Sequence, residues 1–154
     1  MASLIRQASE DPSRDGHSGS LWQGGADDVA SGEHFDVIVL CAEEFQPASH
    51  IIAKPGTQVV HAPNDDSGHP LSREQATVAI AASRVAARAF REGKKVLISC
   101  MQGRNRSGLV TALALHRLYG MAGDRCAQYV KQKRENALTN PYFTDFLAKI
   151  KASA

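Results

Sequence analysis

Three short apolar runs punctuate the chain: Phe35–Ala42 (FDVIVLCA), Gln58–Pro63 (QVVHAP) and Lys94–Ser99 (KKVLIS). Each is rich in β-branched residues and bounded by turn formers, which predicts buried strands. Between the second and third the period changes. Ala76, Ile80, Ser83, Ala87 and Phe90 recur at helical spacing behind Ser72 and Gln75, a capping-box pair, and the pattern stops near Gly93. The stretch SGLVTALALHRLYG predicts a helix stopped by Gly120, and GDRCAQYVKQKREN a further helix with an exposed basic face. Asn140-Pro141 opens a last helix carrying Phe143, Phe146, Leu147 and Ile150. Strands alternating with helices predict an α/β fold: one domain with a central, mostly parallel twisted sheet flanked by helices.

The 154 residues are enough to bury one core without staples. Residues 1–19 mix both charges with Ser and Gly and have no apolar h-region, so a mobile tail is expected there rather than a signal peptide. The folded domain is expected over 20–152, as a monomer in the cytoplasm. No apolar run approaches twenty residues, which excludes a conventional membrane-spanning helix. Cys41, Cys100 and Cys126 are odd in number and form no C-x-x-C pair, and the 6 histidines lack ligand spacing. Neither a disulfide framework nor a metal site is expected, and no cofactor.

The net charge of +2 conceals a division. Residues 1–77 carry 4 basic and 12 acidic side chains, while 78–154 carry 14 and 4. Two readings stand side by side: the halves neutralise each other across a packed domain, or an electropositive surface surrounds the Cys100 segment and suits an anionic substrate.

The candidate chemistry lies after the third strand, in Cys100-Met101-Gln102-Gly103-Arg104-Asn105-Arg106. In open α/β sheets ligands bind beyond the carboxyl ends of the strands, and here a strand ends at Ser99 as a helix begins near Arg106. Such a turn can aim successive backbone N–H groups inward, and the helix adds its positive end, so the loop suits a tetrahedral oxyanion. The same dipoles favour a thiolate at Cys100, a candidate nucleophile. Arg106 offers a planar fork to two phosphate oxygens. Gly103 permits a positive φ, Gly108 close packing in the first helical turn, and Ser107 a hydroxyl for the Cys100 sulfur.

CMQGRNRSG matches C-x-x-G-x-x-R-[S/T]-G, and so resembles the signature of the cysteine-dependent protein tyrosine phosphatases. The short chain is similar to their dual-specificity branch. The likeness extends to SLWQGG, which resembles the entry strand, VLCAEE, the strand before the first helix, and NPYFTDFL, the closing helix. It implies that Cys100 attacks phosphorus to give a phosphocysteine, while Arg106 and the amides of Met101, Gln102, Gly103, Arg104 and Asn105 hold the equatorial oxygens. The substrate implied is a phosphorylated protein carrying phosphotyrosine, with phosphoserine or phosphothreonine as further candidates. The family's general acid is an Asp on a loop upstream; the spacing to Leu71-Ser72 selects Asp65, with Asp66 as the fallback.

Ser99 stands where the family usually has His. Its hydroxyl can still hydrogen-bond neighbouring backbone. Asn105 before Arg106 also resembles the RNA 5′-triphosphatase branch, for which the basic stretch Lys131–Glu135 would meet a polyanion. A phosphoinositide phosphatase is a further alternative, though its loop carries Lys where this one has Met101, Gln102 and Arg104. A silent phosphate-binding module is the alternative from another class. Cys41 resembles the second cysteine with which some members bridge the oxidised nucleophile, against the plainer reading of a small buried hydrophobe.

Overall fold

The computed structural model describes residues 1–10, 18–48 and 54–153. Among these residues, the strands are β1 (Ser3–Gln7), β2 (Ser20–Gly24), β3 (Val37–Ala42), β4 (Gln58–Asn64) and β5 (Lys95–Ser99). The helices are α1 (Ala26–Val29), α2 (Arg73–Arg91), α3 (Arg106–Tyr119), α4 (Gly123–Lys133) and α5 (Pro141–Ala148).

The strands form one sheet in the order β1-β2-β5-β3-β4. β5 lies at its centre, parallel to both β2 and β3; β3 and β4 are also parallel, and β1 pairs antiparallel with β2. All six residues of β3 are buried, as a strand covered on both faces requires. Alternation divides the side chains between two cores. Val37, Val39, Cys41, Val96, Ile98 and Cys100 join the cluster beneath α2, α3, α4 and α5, whereas Ile38, Leu40 and Leu97 face Val29, Phe35 and Trp22.

α3 is the central helix, buried from Arg106 through Leu115 and closed by Gly120 at φ 70°. α2 begins with the expected reciprocal cap, Gln75 N to Ser72 Oγ at 3.1 Å and Ser72 N to Gln75 Oε1 at 2.9 Å.

Three expectations need correction. Residues 3–10, read as part of a mobile tail, instead form β1 and a single 3-10 turn; residues 11–17 lie outside the described residues. Ile5 is 1% exposed, and Arg6 reaches the hydroxyls of Tyr119 at 3.2 Å and Tyr129 at 3.1 Å. SLIRQ holds a single apolar pair, Leu4-Ile5, too short to show a period, and becomes a strand only by pairing with β2, Ser3 opposite Gln23. β4 is an edge strand rather than a buried one: only Ala62 and Asn64 are buried. α4 ends at Lys133 instead of running on through Asn136, because Arg134 turns to extended backbone and Asn136 and Leu138 take positive φ.

Candidate active site

The loop Cys100–Asn105 connects the carboxyl end of the central strand to the buried helix α3. Every carbonyl from Met101 to Asn105 is held from outside. Ala26 N donates to Met101 O at 3.0 Å, Arg134 Nη2 to Gln102 O at 3.3 Å and Leu109 N to Asn105 O at 2.8 Å. Gly103 O accepts from Arg134 Nε at 2.6 Å and Gln23 Nε2 at 3.0 Å; Leu138 N donates to Arg104 O at 3.1 Å. In a trans peptide the N–H points opposite to the C=O, so carbonyls pinned outward aim the following amides, Gln102 to Arg106, into the loop. Gly103 makes the turn possible at φ 69°, and a Cβ there would lie 2.4 Å from the backbone of Gly24.

Cys100 is 4% exposed, with its sulfur 3.2 Å from the buried hydroxyl of Ser107. Ser99 is buried and its hydroxyl donates to the Cys100 carbonyl at 3.3 Å, the backbone role expected of it. Cys100 opens into a cleft of about 220 Å³ with Met101, Gln102, Arg104, Asn105, Arg106, Glu44 and Asp66.

Arg106 is held along one edge of its guanidinium. Nη1 and Nη2 donate to the two carboxylate oxygens of Glu44, the second at 2.7 Å, and Nη1 also donates to Asn64 O at 3.1 Å. Nε is buried and has no partner among the described residues. The free edge, Nε with the remaining Nη2 hydrogen, is the pair that grips a tetrahedral anion bidentately, and an anion there would satisfy the buried donor. The hydrogen bond from Arg106 lowers the Glu44 carboxyl below the ordinary glutamate range; the same bond raises Arg106, against the opposing effect of burial.

Facing the loop across the cleft, Asp66 accepts from Asn105 Nδ2 at 3.0 Å and from Asn140 Nδ2 at 2.7 Å. The sequence matches "Dual specificity phosphatase, catalytic domain" over residues 21–152. The chain belongs to that family. Its phosphatase fold is shared with Tk-PTP in its active form, at 28% identity and TM-score 0.69 over 95% of this chain and 92% of that one. Human DUSP28 matches at 27% identity and TM-score 0.64, over 84% and 86% of the two chains. PTPMT1 in complex with PI(5)P, at 14% identity and TM-score 0.68 over 84% and 88%, shares the fold alone. No curated protein sequence matches the chain.

Of the residues singled out in the sequence, Cys100, Ser107, Arg106 and the loop between them converge. Of the two acids, Asp66 lines the cleft; Asp65, favoured by spacing, is exposed and stands outside the lining. The difference is one residue: Asp66 is the one held at the cleft, by the side-chain amides of Asn105 and Asn140. Cys41 lies in β3 next to its last residue, one beyond the register pair Leu40 and Ser99, on the sheet face that carries Cys100. Burial pushes its thiol well above the usual range, and the Cys100 charge adds to this. Among the described residues no group of three or more His, Cys, Asp or Glu is arranged to hold a metal ion, and no helix is long and apolar enough to cross a membrane.

Four contributors escaped the sequence reading: Glu44, Gln23, Arg134 and Asn140. Glu44 had a signal, an acid just past the end of a strand whose carboxyl end faces the crevice. Gln23, fully buried within the apolar entry strand, was a polar residue in need of a purpose.

Proposed function

We propose that the protein hydrolyses phosphate monoesters of proteins, phosphotyrosine first and phosphoserine or phosphothreonine with it, through a phosphocysteine. The observation that carries this is the Cys100 sulfur sharing one cleft with the unpartnered edge of Arg106, above a loop whose carbonyls all face away. The Cys100 thiolate attacks phosphorus, the S–P bond forms, and the ester P–O bond breaks as the leaving oxygen takes a proton. Its poor leaving ability makes that proton necessary. Of the two candidate acids we assign Asp66, because it lines the cleft; Asp65, the residue chosen by spacing, is the alternative. Water then attacks phosphorus, giving its proton to the same carboxylate, and the P–S bond returns its electron pair to sulfur, steadied by the Ser107 hydroxyl at 3.2 Å.

Asn105, the residue that suggested an RNA 5′-triphosphatase, is engaged with Asp66 and with Asn140 N at 2.9 Å. That supports a reaction needing an acid over one with an easily departing diphosphate. The test is a parallel assay on phosphotyrosyl peptide, phosphoseryl peptide, 5′-triphosphorylated RNA and a phosphoinositide, with Cys100→Ser as control. Release of phosphate from the peptides, abolished in the control, is expected. Turnover confined to RNA or lipid overturns the substrate assignment, and phosphopeptide binding without any turnover establishes a binding module instead.

Cys41 is proposed as the thiol that captures oxidised Cys100. Peroxide converts the Cys100 thiolate to a sulfenic acid with loss of hydroxide; the Cys41 thiol then attacks the sulfenic sulfur, its proton leaving with the displaced hydroxide as water, and the S–S bond closes. Peptide mapping after peroxide should find a Cys41–Cys100 disulfide. A Cys100 sulfinic acid beside free Cys41 retires the idea.

A further inference from the structure

We propose that Asn105 is a positioning residue for the general acid: its side-chain amide latches the loop after β4 onto the phosphate loop and so holds Asp66 over the cleft. This rests on the assignment of Asp66 as the acid.

The side chain of Asn105 does two things at once. Its Nδ2 donates to Asp66 Oδ2 at 3.0 Å, while its Oδ1 accepts from Asn140 N at 2.9 Å and from Thr139 Oγ1 at 3.4 Å. Asn140 completes the triangle. Its Nδ2 donates to Asp66 Oδ1 at 2.7 Å and to Ser67 O at 2.8 Å, and its Oδ1 caps α5 at Tyr142 N, 2.9 Å away. Three segments distant in sequence therefore meet at one carboxylate, which receives one amide hydrogen on each oxygen. Each oxygen keeps a second lone-pair direction, so the carboxyl can still carry and deliver a proton while latched.

Asp66 is exposed and its loop follows an edge strand, so without the latch nothing in the backbone ladder beyond Asn64 fixes its direction. A proton donor must sit within hydrogen-bond reach of the leaving oxygen, and a small misplacement forfeits much of the benefit. Asn suits the latch because it supplies a donor and an acceptor from one planar group. Asp at 105 would keep the shape, lose the donor and set two carboxylates against each other.

The test compares Asp66→Asn, Asn105→Ala, Asn105→Asp, Asn140→Ala and the double variant Asp66→Asn/Asn105→Ala on a phosphoseryl peptide and on an activated aryl phosphate. Removing the acid should cost at least about a hundredfold in kcat on the peptide and far less on the aryl ester. Asn105→Ala and Asn140→Ala should each show the same leaving-group signature at about tenfold, with KM little moved, and Asn105→Asp should restore nothing. The double variant should be no slower than Asp66→Asn alone, since a residue acting through Asp66 has nothing left to position. Additive losses in the double variant, equal losses on both substrates for Asn105→Ala, rescue by Asn105→Asp, or faster turnover on breaking the latch would each overturn the proposal. Equal losses on both substrates for Asp66→Asn would instead remove the acid assignment on which it rests.

Discussion

Glu44 and Arg106 are most informative as a pair. The carboxylate fixes the guanidinium along one edge and leaves Nε and one Nη2 hydrogen without a partner among the described residues, the edge we propose for the phosphate. Replacing Glu44 by Gln keeps the shape but weakens the brace, and inhibition by inorganic phosphate should weaken by about tenfold, the order expected for losing a charge-assisted hydrogen bond. The pair also has a pH signature. Because the folded carboxyl titrates below the ordinary glutamate range, its stabilisation is complete above that range and is lost as pH falls through the lowered value. The gap in melting temperature between wild type and Glu44→Gln should therefore close on acidification; a gap independent of pH would show that the charge is not what stabilises. The cysteines separate as clearly. Burial raises Cys126 to about 11 and Cys41 well above its usual value, so iodoacetamide at neutral pH should label Cys100 alone, as read by peptide mass spectrometry.

Among elements, the loop Cys100–Asn105 is braced less by its own residues than by its neighbours. Arg134, where α4 ends, spends its guanidinium on Gly103 O, Gln102 O, Gln23 O at 3.2 Å, Ser3 Oγ at 3.0 Å and Met1 O at 2.9 Å. Gln23 reaches the same loop from β2. Loop shape and helix termination are thus one event: the chain leaves the helix so that Arg134 can turn back. Gly103→Ala should cost about a hundredfold or more in kcat, because the left-handed turn and the contact with Gly24 both forbid a Cβ and displace the amides. Retention of wild-type turnover would show that the amide cup does not bind the transition state. The motif residues were legible because their spacing implies a turn between strand and helix. Arg134 and Gln23 were not, since nothing local to either indicates where its donors end.

At the scale of the molecule, the acidic first half and basic second half meet within one domain. Glu33 pairs with Lys95 at 2.8 Å and Glu44 with Arg106, both across the division. β1 ties the amino terminus to the sheet edge, with Ile5 in the core beneath the helices. Ile5→Ala should destabilise by about 2–4 kcal/mol in urea unfolding, the cost of a buried cavity. A loss under about 0.5 kcal/mol would return this segment to the status of a loosely attached tail.

Sequence by itself determined the elements whose residues carry a period, and the chemistry whose residues are neighbours in the chain. β3 and β5 announced themselves as β-branched runs bounded by turn formers, α2 through its period and capping pair and α3 through its glycine stop, and Cys100, Gly103, Arg106 and Ser107 through fixed spacing on a single turn. Tertiary structure alone decided what depends on direction and on distant partners. It decided which of two adjacent aspartates faces the cleft, which acid braces the arginine, where α4 ends and whether residues 3–7 are strand. Local periodicity records the burial of each face of an element; hydrogen bonds between segments tens of residues apart follow only from how the packed elements aim their ends.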